Sequence, residues 1–255
     1  MCLIFLAIKN HPEYKLVVAA NRDEFYQRKT APADYWVDHP SILGGRDLEA
    51  GGTWLALNRY GKISMVTNYR DPKNINPKAP SRGHLVSDFL EQKNIDASRY
   101  MKDVSTRGKQ YNGFNLITGT VDDLWYYSNY GYGVQHLSDG IFGLSNHLLD
   151  TPWPKVVKGK QKFTSALEKE LSPEKLFNLL YDDVLAVDTE LPDTGVGLER
   201  ERALSSMFIK SPGYGTKCST VILVDQNNNV QFQERVYDTT TFTFSVKKFT
   251  FTIES

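Results

Sequence analysis

Two nearly continuous apolar runs open the chain: Leu3-Ile4-Phe5-Leu6-Ala7-Ile8, then Leu16-Val17-Val18-Ala19-Ala20. Asn10-His11-Pro12-Glu13 lies between them and supplies turn chemistry, so the pattern predicts a β-hairpin with strands over 2–8 and 15–20. A hairpin with one wet face would alternate apolar and polar residues. These runs do not alternate, which implies burial on both faces. The chain must therefore build a sheet and cover both of its sides.

The remaining pattern supplies the cover. A second hairpin is predicted over 53–58 and 62–69, turning at Tyr60-Gly61, and the Gly44-Gly45 and Gly51-Gly52 pairs bracket a tight loop before it. Helical spacing follows at 83–93, with Ser81 as a candidate cap, and at 96–107. Strands return over 114–119, 124–128, 133–137 and 141–145. Helices are expected over 153–170 and 173–186, where Pro173 suits a first turn. Residues 188–198 read as a loop, with a short helix near 199–208 and closing strands at 219–225, 229–236 and 245–253. Strands, helices, strands, helices, strands is an α+β order. It suits a four-layer αββα sandwich of two mainly antiparallel sheets flanked by helices, because a parallel doubly wound sheet needs regular strand–helix alternation.

The chain has 255 residues, of which 40% are hydrophobic, including 13 Phe, 14 Tyr and 4 Trp. That is enough to fill one large core, so residues 1–255 are expected to form a single domain. Lys+Arg and Asp+Glu both total 30. A zero net charge argues against a nucleic-acid partner, which usually selects a basic excess. Cys2 and Cys218 are too few for a disulfide scaffold and lack zinc spacing, which fits a reducing compartment. No segment reaches membrane-spanning length, and the opening run lacks a signal-peptide layout. A cytoplasmic protein without a membrane span is expected.

Position makes Cys2 a candidate nucleophile. Removal of Met1 would leave a thiol and a free α-amine on one residue. Their reference pKa values are about 8.5 and about 7.7–8.0, so the amine can serve as base for the thiol. The alternative is a small strand residue at the start of an apolar run. The second strand is expected to end in Asn21-Arg22-Asp23-Glu24, which a hairpin brings beside the start of the first strand. A guanidinium there lowers a thiol pKa, and a carboxylate can orient the terminal amine. Asn68 and Asn146 end strands and carry amide donors of the kind an oxyanion hole needs, and Lys217 stands at a strand start. His84 and His147 offer metal or haem ligands, set against ordinary structural roles. The stretch from Trp125-Tyr126-Tyr127 through Tyr132 is read as sheet packing rather than a base-stacking platform. A Cys2–Cys218 redox pair is a further possibility.

Cys2, Asn21-Arg22-Asp23-Glu24-Phe25, Gly45-Arg46-Asp47 with Gly51-Gly52-Thr53-Trp54, Thr67-Asn68, Ser81-Arg82-Gly83 and Tyr214-Gly215-Thr216 occur in that order and together resemble the NRDE family. This transport and Golgi organisation protein 2-like family belongs to the N-terminal nucleophile hydrolase superfamily, and the matching blocks run from residue 1 to about 225. The resemblance implies the αββα fold. It also implies an amide-cleaving site in which Cys2 attacks, Arg22 and Asp23 flank it, and Asn68 and Asn146 bind the oxyanion and the amine. Adjacent Arg22 and Asp23 depart from the wider spacing of the acylase relatives, so Glu24 competes with Asp23 for its role. Lys217 stands where those relatives carry an Arg, and lysine lacks the planar fork. Two functions follow. One is a cysteine hydrolase of a C–N amide bond in a small or acyl substrate, with no cofactor. The other is a non-catalytic carrier of haem or an acyl lipid using the same cleft.

Overall fold

The computed structural model describes residues 2–254, Cys2 in its backbone alone. In chain order the elements are β1 (Cys2–Ile8), β2 (Tyr14–Phe25), β3 (Thr30–Tyr35), β4 (Ile42–Asp47), β5 (Leu55–Asn58), β6 (Lys62–Asn68), α1 (His84–Glu91), α2 (Ala97–Arg107), β7 (Phe114–Thr120), β8 (Asp123–Ser128), β9 (Gln135–Leu137) and β10 (Gly140–Leu144). There follow α3 (Pro154–Leu167), α4 (Pro173–Leu180), α5 (Leu198–Ala203), β11 (Lys210–Ser211), β12 (Tyr214–Asp225), β13 (Asn229–Tyr237) and β14 (Phe244–Thr252). The first sheet has the order β10-β1-β2-β12-β13-β14, with β11 beside β12, and the second runs β3 to β9 in sequence. All of these pairings are antiparallel.

Strand period explains the layers. Ile4, Leu6, Ile8, Leu16 and Val18 point between the sheets, where they meet Leu55, Leu57, Met65 and Ile117 of the second sheet. Leu3, Phe5, Ala7, Val17 and Ala19 point the other way, against Val156 and Phe163 of α3 and Leu176, Phe177 and Leu180 of α4. The outer face of the second sheet packs on α1 and α2 through Leu85, Phe89, Tyr100 and Met101. The continuous apolar runs thus serve two cores at once, and the result is a helix–sheet–sheet–helix stack. Burying each large apolar side chain contributes about 1.5–3 kcal/mol, so neither face of the β1–β2 hairpin tolerates exposure. Caps fix the helix starts. Asp96 accepts from the Arg99 N–H (2.8 Å), and Ser172 caps α4 ahead of Pro173.

Three expectations need correction. The loop that the Gly44-Gly45 and Gly51-Gly52 pairs bracket is confined to residues 48–51, because the strand β4 runs through Gly44-Gly45 to Asp47, and β3 precedes it. A Cβ on Gly44 would lie 2.6 Å from the Ala56 Cβ, and one on Gly45 would lie 2.3 Å from the Trp54 ring. Close strand approach, not a turn, requires these glycines. Helix α4 stops at Leu180 instead of 186, closed by Tyr181 N–H donating to Phe177 O. Most importantly, β2 does not end before Asn21 but continues to Phe25. It can do so because β12 begins at Tyr214, five residues before the apolar run, and pairs Tyr214 with Phe25 and Thr216 with Asp23.

Candidate active site

The three central strands of the first sheet set the geometry. Cys2 of β1 pairs with Arg22 of β2, and Arg22 pairs on its other side with Cys218 of β12. The Cys2 side chain and Met1 lie outside the described residues. The register is decisive for one expectation: positions 2 and 218 are two strand spacings apart, roughly 9–10 Å. A disulfide needs Cα atoms about 4.4–6.8 Å apart, so the two cysteines do not form a redox pair.

Because β2 continues as a strand, its polar run divides between the two faces of the sheet. Arg22 and Glu24 turn into the space between the sheets. The Arg22 guanidinium lies 4.1 Å from the Trp54 ring centroid and is buried. Its Nη2 is 3.8 Å from Glu24 and 3.9 Å from Asp47, and Nη1 has no hydrogen-bond partner among the described residues. Arg28 Nε donates to Asp47 (2.7 Å). Burial pushes the Asp47 carboxyl up, but Arg28 and the Glu49 and Ala50 N–H groups outweigh it and hold the carboxyl below its ordinary value. A cavity of about 10 Å³, the size of one water, lies beside Arg22 and Trp54 and is lined also by Ile4, Leu55 and Thr220. Further along this face, Glu234 is 1% exposed and accepts from the Ala33 N–H (2.6 Å). Burial raises its pKa to about 7, against the hydrogen bonds from Ala33, Cys218 and Thr220 and the Arg22 charge.

Lys217 does not begin a strand. It is the extra residue of a bulge in β12, between Thr216 and Cys218. Its Nζ donates to the carbonyls of Tyr26 (3.1 Å) and Arg28 (2.5 Å), tying down the turn after β2. Burial and the Arg22 charge together lower its pKa.

Asn21 and Asp23 turn to the helix side. Asn21 Nδ2 donates to the carbonyls of Leu180 (2.9 Å) and Met207 (2.8 Å), while Phe208 N–H donates to Asp182 O (2.8 Å). One amide thus closes the neck of a long loop between α4 and β11. Asp23, 1% exposed, accepts from Thr216 Oγ1 (2.7 Å). Burial raises its pKa, and the Lys155 charge and the Thr216 hydrogen bond only partly oppose this. Lys155 Nζ donates to Leu204 O (3.0 Å) on the loop that Asn21 closes.

Two residues that sequence reasoning missed complete this side. Arg70, two positions after Asn68, is buried against the Trp153 ring at 4.7 Å, and its Nη1 donates to Glu201 of α5 (2.5 Å). Glu201 also accepts from Thr194 N–H (2.8 Å) and Thr194 Oγ1 (2.5 Å). Burial lowers the Arg70 pKa, while the charges of Glu201 and Asp23 and its electrostatic contact with Tyr214 support the cation. The partners are 131 residues apart in sequence, so no local pattern signals the pair.

Asn68 and Asn146 come together at the ends of β6 and β10. Asn146 is fully buried, and its Nδ2 donates to the Asn68 carbonyl (3.0 Å). The Asn146 carbonyl accepts from Arg70 N–H (2.7 Å), which links this pair to the helix-side cluster. The residues that follow also meet: Tyr69 OH shares a 2.8 Å hydrogen bond with His147 Nε2, and His147 Nδ1 bonds Thr151 Oγ1 at 2.9 Å. Both ring nitrogens of His147 are engaged, and His84 Nε2 bonds Ala50 O (2.6 Å). Among the described residues no group of three or more His, Cys, Asp or Glu side chains is placed to hold a metal ion. No helix of the described residues is long and apolar enough to cross a membrane.

A four-layer αββα protein whose first strand pairs Cys2 with a buried Arg22 is the class that the fold and register define. The profile of the Transport and Golgi organisation 2 family matches residues 1–239, and the chain belongs to that family. It is 39% identical over 278 aligned residues to the mouse (Mus musculus) Transport and Golgi organization 2 homolog, covering all of both chains. It is 30% identical to the Drosophila melanogaster Transport and Golgi organization protein 2, covering 92% of this chain and 91% of that one. Among solved structures, it is similar to a Caenorhabditis elegans N-acylethanolamine-hydrolyzing acid amidase ortholog (TM-score 0.49, 9% identity, covering 87% of this chain and 92% of that chain). It is also similar to a mutant conjugated bile acid hydrolase from Clostridium perfringens (TM-score 0.48, 8% identity, covering 98% and 96%).

Proposed function

We propose that this chain is a cysteine N-terminal nucleophile hydrolase that cleaves a C–N amide bond of a small or acyl substrate. The observation that carries the proposal is the β1–β2 register, which sets Arg22 directly across from Cys2. In the reaction, the Cys2 α-amine, exposed by removal of Met1, takes the thiol proton. The thiolate attacks the carbonyl carbon, with the Asn68 amide facing the oxyanion and Asn146, whose Nδ2 donates to the Asn68 carbonyl, holding Asn68 in place. The C–N bond breaks as the leaving amine takes the proton from the α-ammonium. Water then adds to the thioester, the C–S bond breaks, and the thiol re-forms as the carboxylic acid leaves. Arg22 favours the thiolate, Asp23 orients the amine, and Lys217 fixes the turn that carries Arg28 and the Arg22–Asp47 network. The reaction uses no cofactor. We propose that the protein resides in the cytoplasm, because a cysteine nucleophile stays reduced there.

Thiol chemistry tests this without a known substrate. Iodoacetamide should alkylate Cys2 with an apparent pKa below the reference of about 8.5, and Arg22→Gln should move that pKa upward. Alkylation of Cys2 at the reference pKa, unchanged by Arg22→Gln, would contradict the proposal.

A further inference from the structure

On the helix side of β2, one buried cation has two donors without partners among the described residues. Of the donors that the sequence singled out, Asn146 Nδ2 is committed to Asn68 O, Asn21 Nδ2 to two carbonyls and Lys217 Nζ to two carbonyls, while Arg22 lacks a partner among the described residues only at Nη1. Arg70 is different. Its side chain is 5% exposed, and Glu201 occupies only the Nη1 corner of the guanidinium. Nε and Nη2, which form the other edge, have no hydrogen-bond partner among the described residues. Buried donors without partners are rare and costly, the more so when charged. Two on one guanidinium call for a ligand.

The shape of that edge selects the ligand. Two parallel N–H groups match the two oxygens of a planar carboxylate, whereas an ammonium at this position would act as a point charge. The Trp153 ring at 4.7 Å holds the guanidinium plane in place. The edge belongs to the candidate site: Arg70 N–H is bonded to Asn146 O, and the Asp23 charge and Tyr214 act on the guanidinium. The flanking charges are Lys155, beside Asp23, and Glu201, so the cluster holds two cations and two carboxyl groups, with the Arg70 edge left over.

We infer that Arg70 is a carboxylate-binding residue, and that the ligand of this site is a small molecule carrying a carboxylate, held in bidentate fashion by Nε and Nη2. This names the substrate class of the hydrolase proposed above and rests on that reading for its catalytic meaning, but not for the binding itself. Glu201 acts as a tether that keeps the guanidinium oriented from its opposite corner.

Calorimetric titration of the full chain carrying Cys2→Ala, which cannot turn over, tests the assignment with two matched probes: N-benzoylglycine and its uncharged carboxamide, N-benzoylglycinamide. The acid should bind at least about tenfold more tightly than the carboxamide, since charge-assisted hydrogen bonds contribute about 1.5–3 kcal/mol. Arg70→Lys keeps the charge beside Glu201 and removes the fork, so the chain should stay folded while the preference falls below about threefold. Glu201→Gln keeps the fork and should keep the preference. Equal binding of acid and carboxamide, no binding of either, a preference that survives Arg70→Lys, or inorganic phosphate binding as tightly as the acid would overturn the inference. Carboxylate binding without any hydrolysis by the wild type would sink the hydrolase and leave the subsite standing. Hydrolysis without acid preference would do the reverse.

Discussion

The two faces of β2 use the same run, Asn21 to Glu24, in opposite ways. Between the sheets, Arg22 stacks on Trp54 with the Glu24 and Asp47 carboxylates 3.8–3.9 Å from its Nη2; its Nη1 has no hydrogen-bond partner among the described residues, and the short bond to Asp47 comes from Arg28. On the helix side, Asn21, Asp23, Lys155 and the Arg70–Glu201 pair make short, specific bonds that fasten the loop between α4 and β11. The first arrangement sets an electrostatic field at the register position of Cys2. The second is a set of fasteners. Adjacent residues of one motif can thus differ in kind, because strand alternation sends them to different cores.

Substitutions separate the two sides. The largest effect belongs to the helix side. Arg70→Met leaves Glu201 buried without its cation and should cost about 3–5 kcal/mol in urea unfolding, whereas the Arg70→Met/Glu201→Met double variant should recover most of that. Equal losses in the single and double variants would remove the ion pair from the account.

Between the sheets the matching effect is one of pH. Burial raises the Glu234 pKa to about 7, against 4.5 for a free glutamate, so the folded state holds its proton more tightly than the unfolded chain. Its stabilising contribution is complete below about pH 4.5 and is lost as pH rises toward 7, a change of about 3 kcal/mol. Unfolding free energies at pH 5 and pH 8 should show this fall in the wild type and a flatter profile in Glu234→Gln. A wild-type profile as flat as that of the variant would show that Glu234 does not titrate in this window.

Asn21→Ala leaves the Leu180 and Met207 carbonyls without their donor and should cost about 1–3 kcal/mol. Protease cleavage should then accelerate within 182–204 rather than across the sheets. Uniform cleavage would contradict the neck assignment. The smallest stability change should come from Arg22→Lys, about 0.5–2 kcal/mol through lost stacking on Trp54, yet it should slow Cys2 alkylation more than any helix-side variant.

The sequence exposed the layers because the hairpin over 2–8 and 15–20 is apolar on both faces, and two-sided burial leaves few architectures. It hid β3 and β4, whose Gly44-Gly45 pair resembles a turn when the Ala56 and Trp54 contacts are unseen. The polar ends of β2 and β12 were missed for a related reason: each is a strand only because the other pairs with it across about 190 residues. Of the candidate site, Arg22, Asp23, Asn68, Asn146 and Lys217 were legible as polar residues at or near strand ends. Arg70, Lys155 and Glu201 were not, because their partners are brought together only by the tertiary fold.

All of the proposed chemistry needs a free α-amine on Cys2. The intact mass of the protein purified from cells measures that directly. A chain beginning at Cys2 is the result expected of an N-terminal nucleophile. Full retention of Met1 would contradict it.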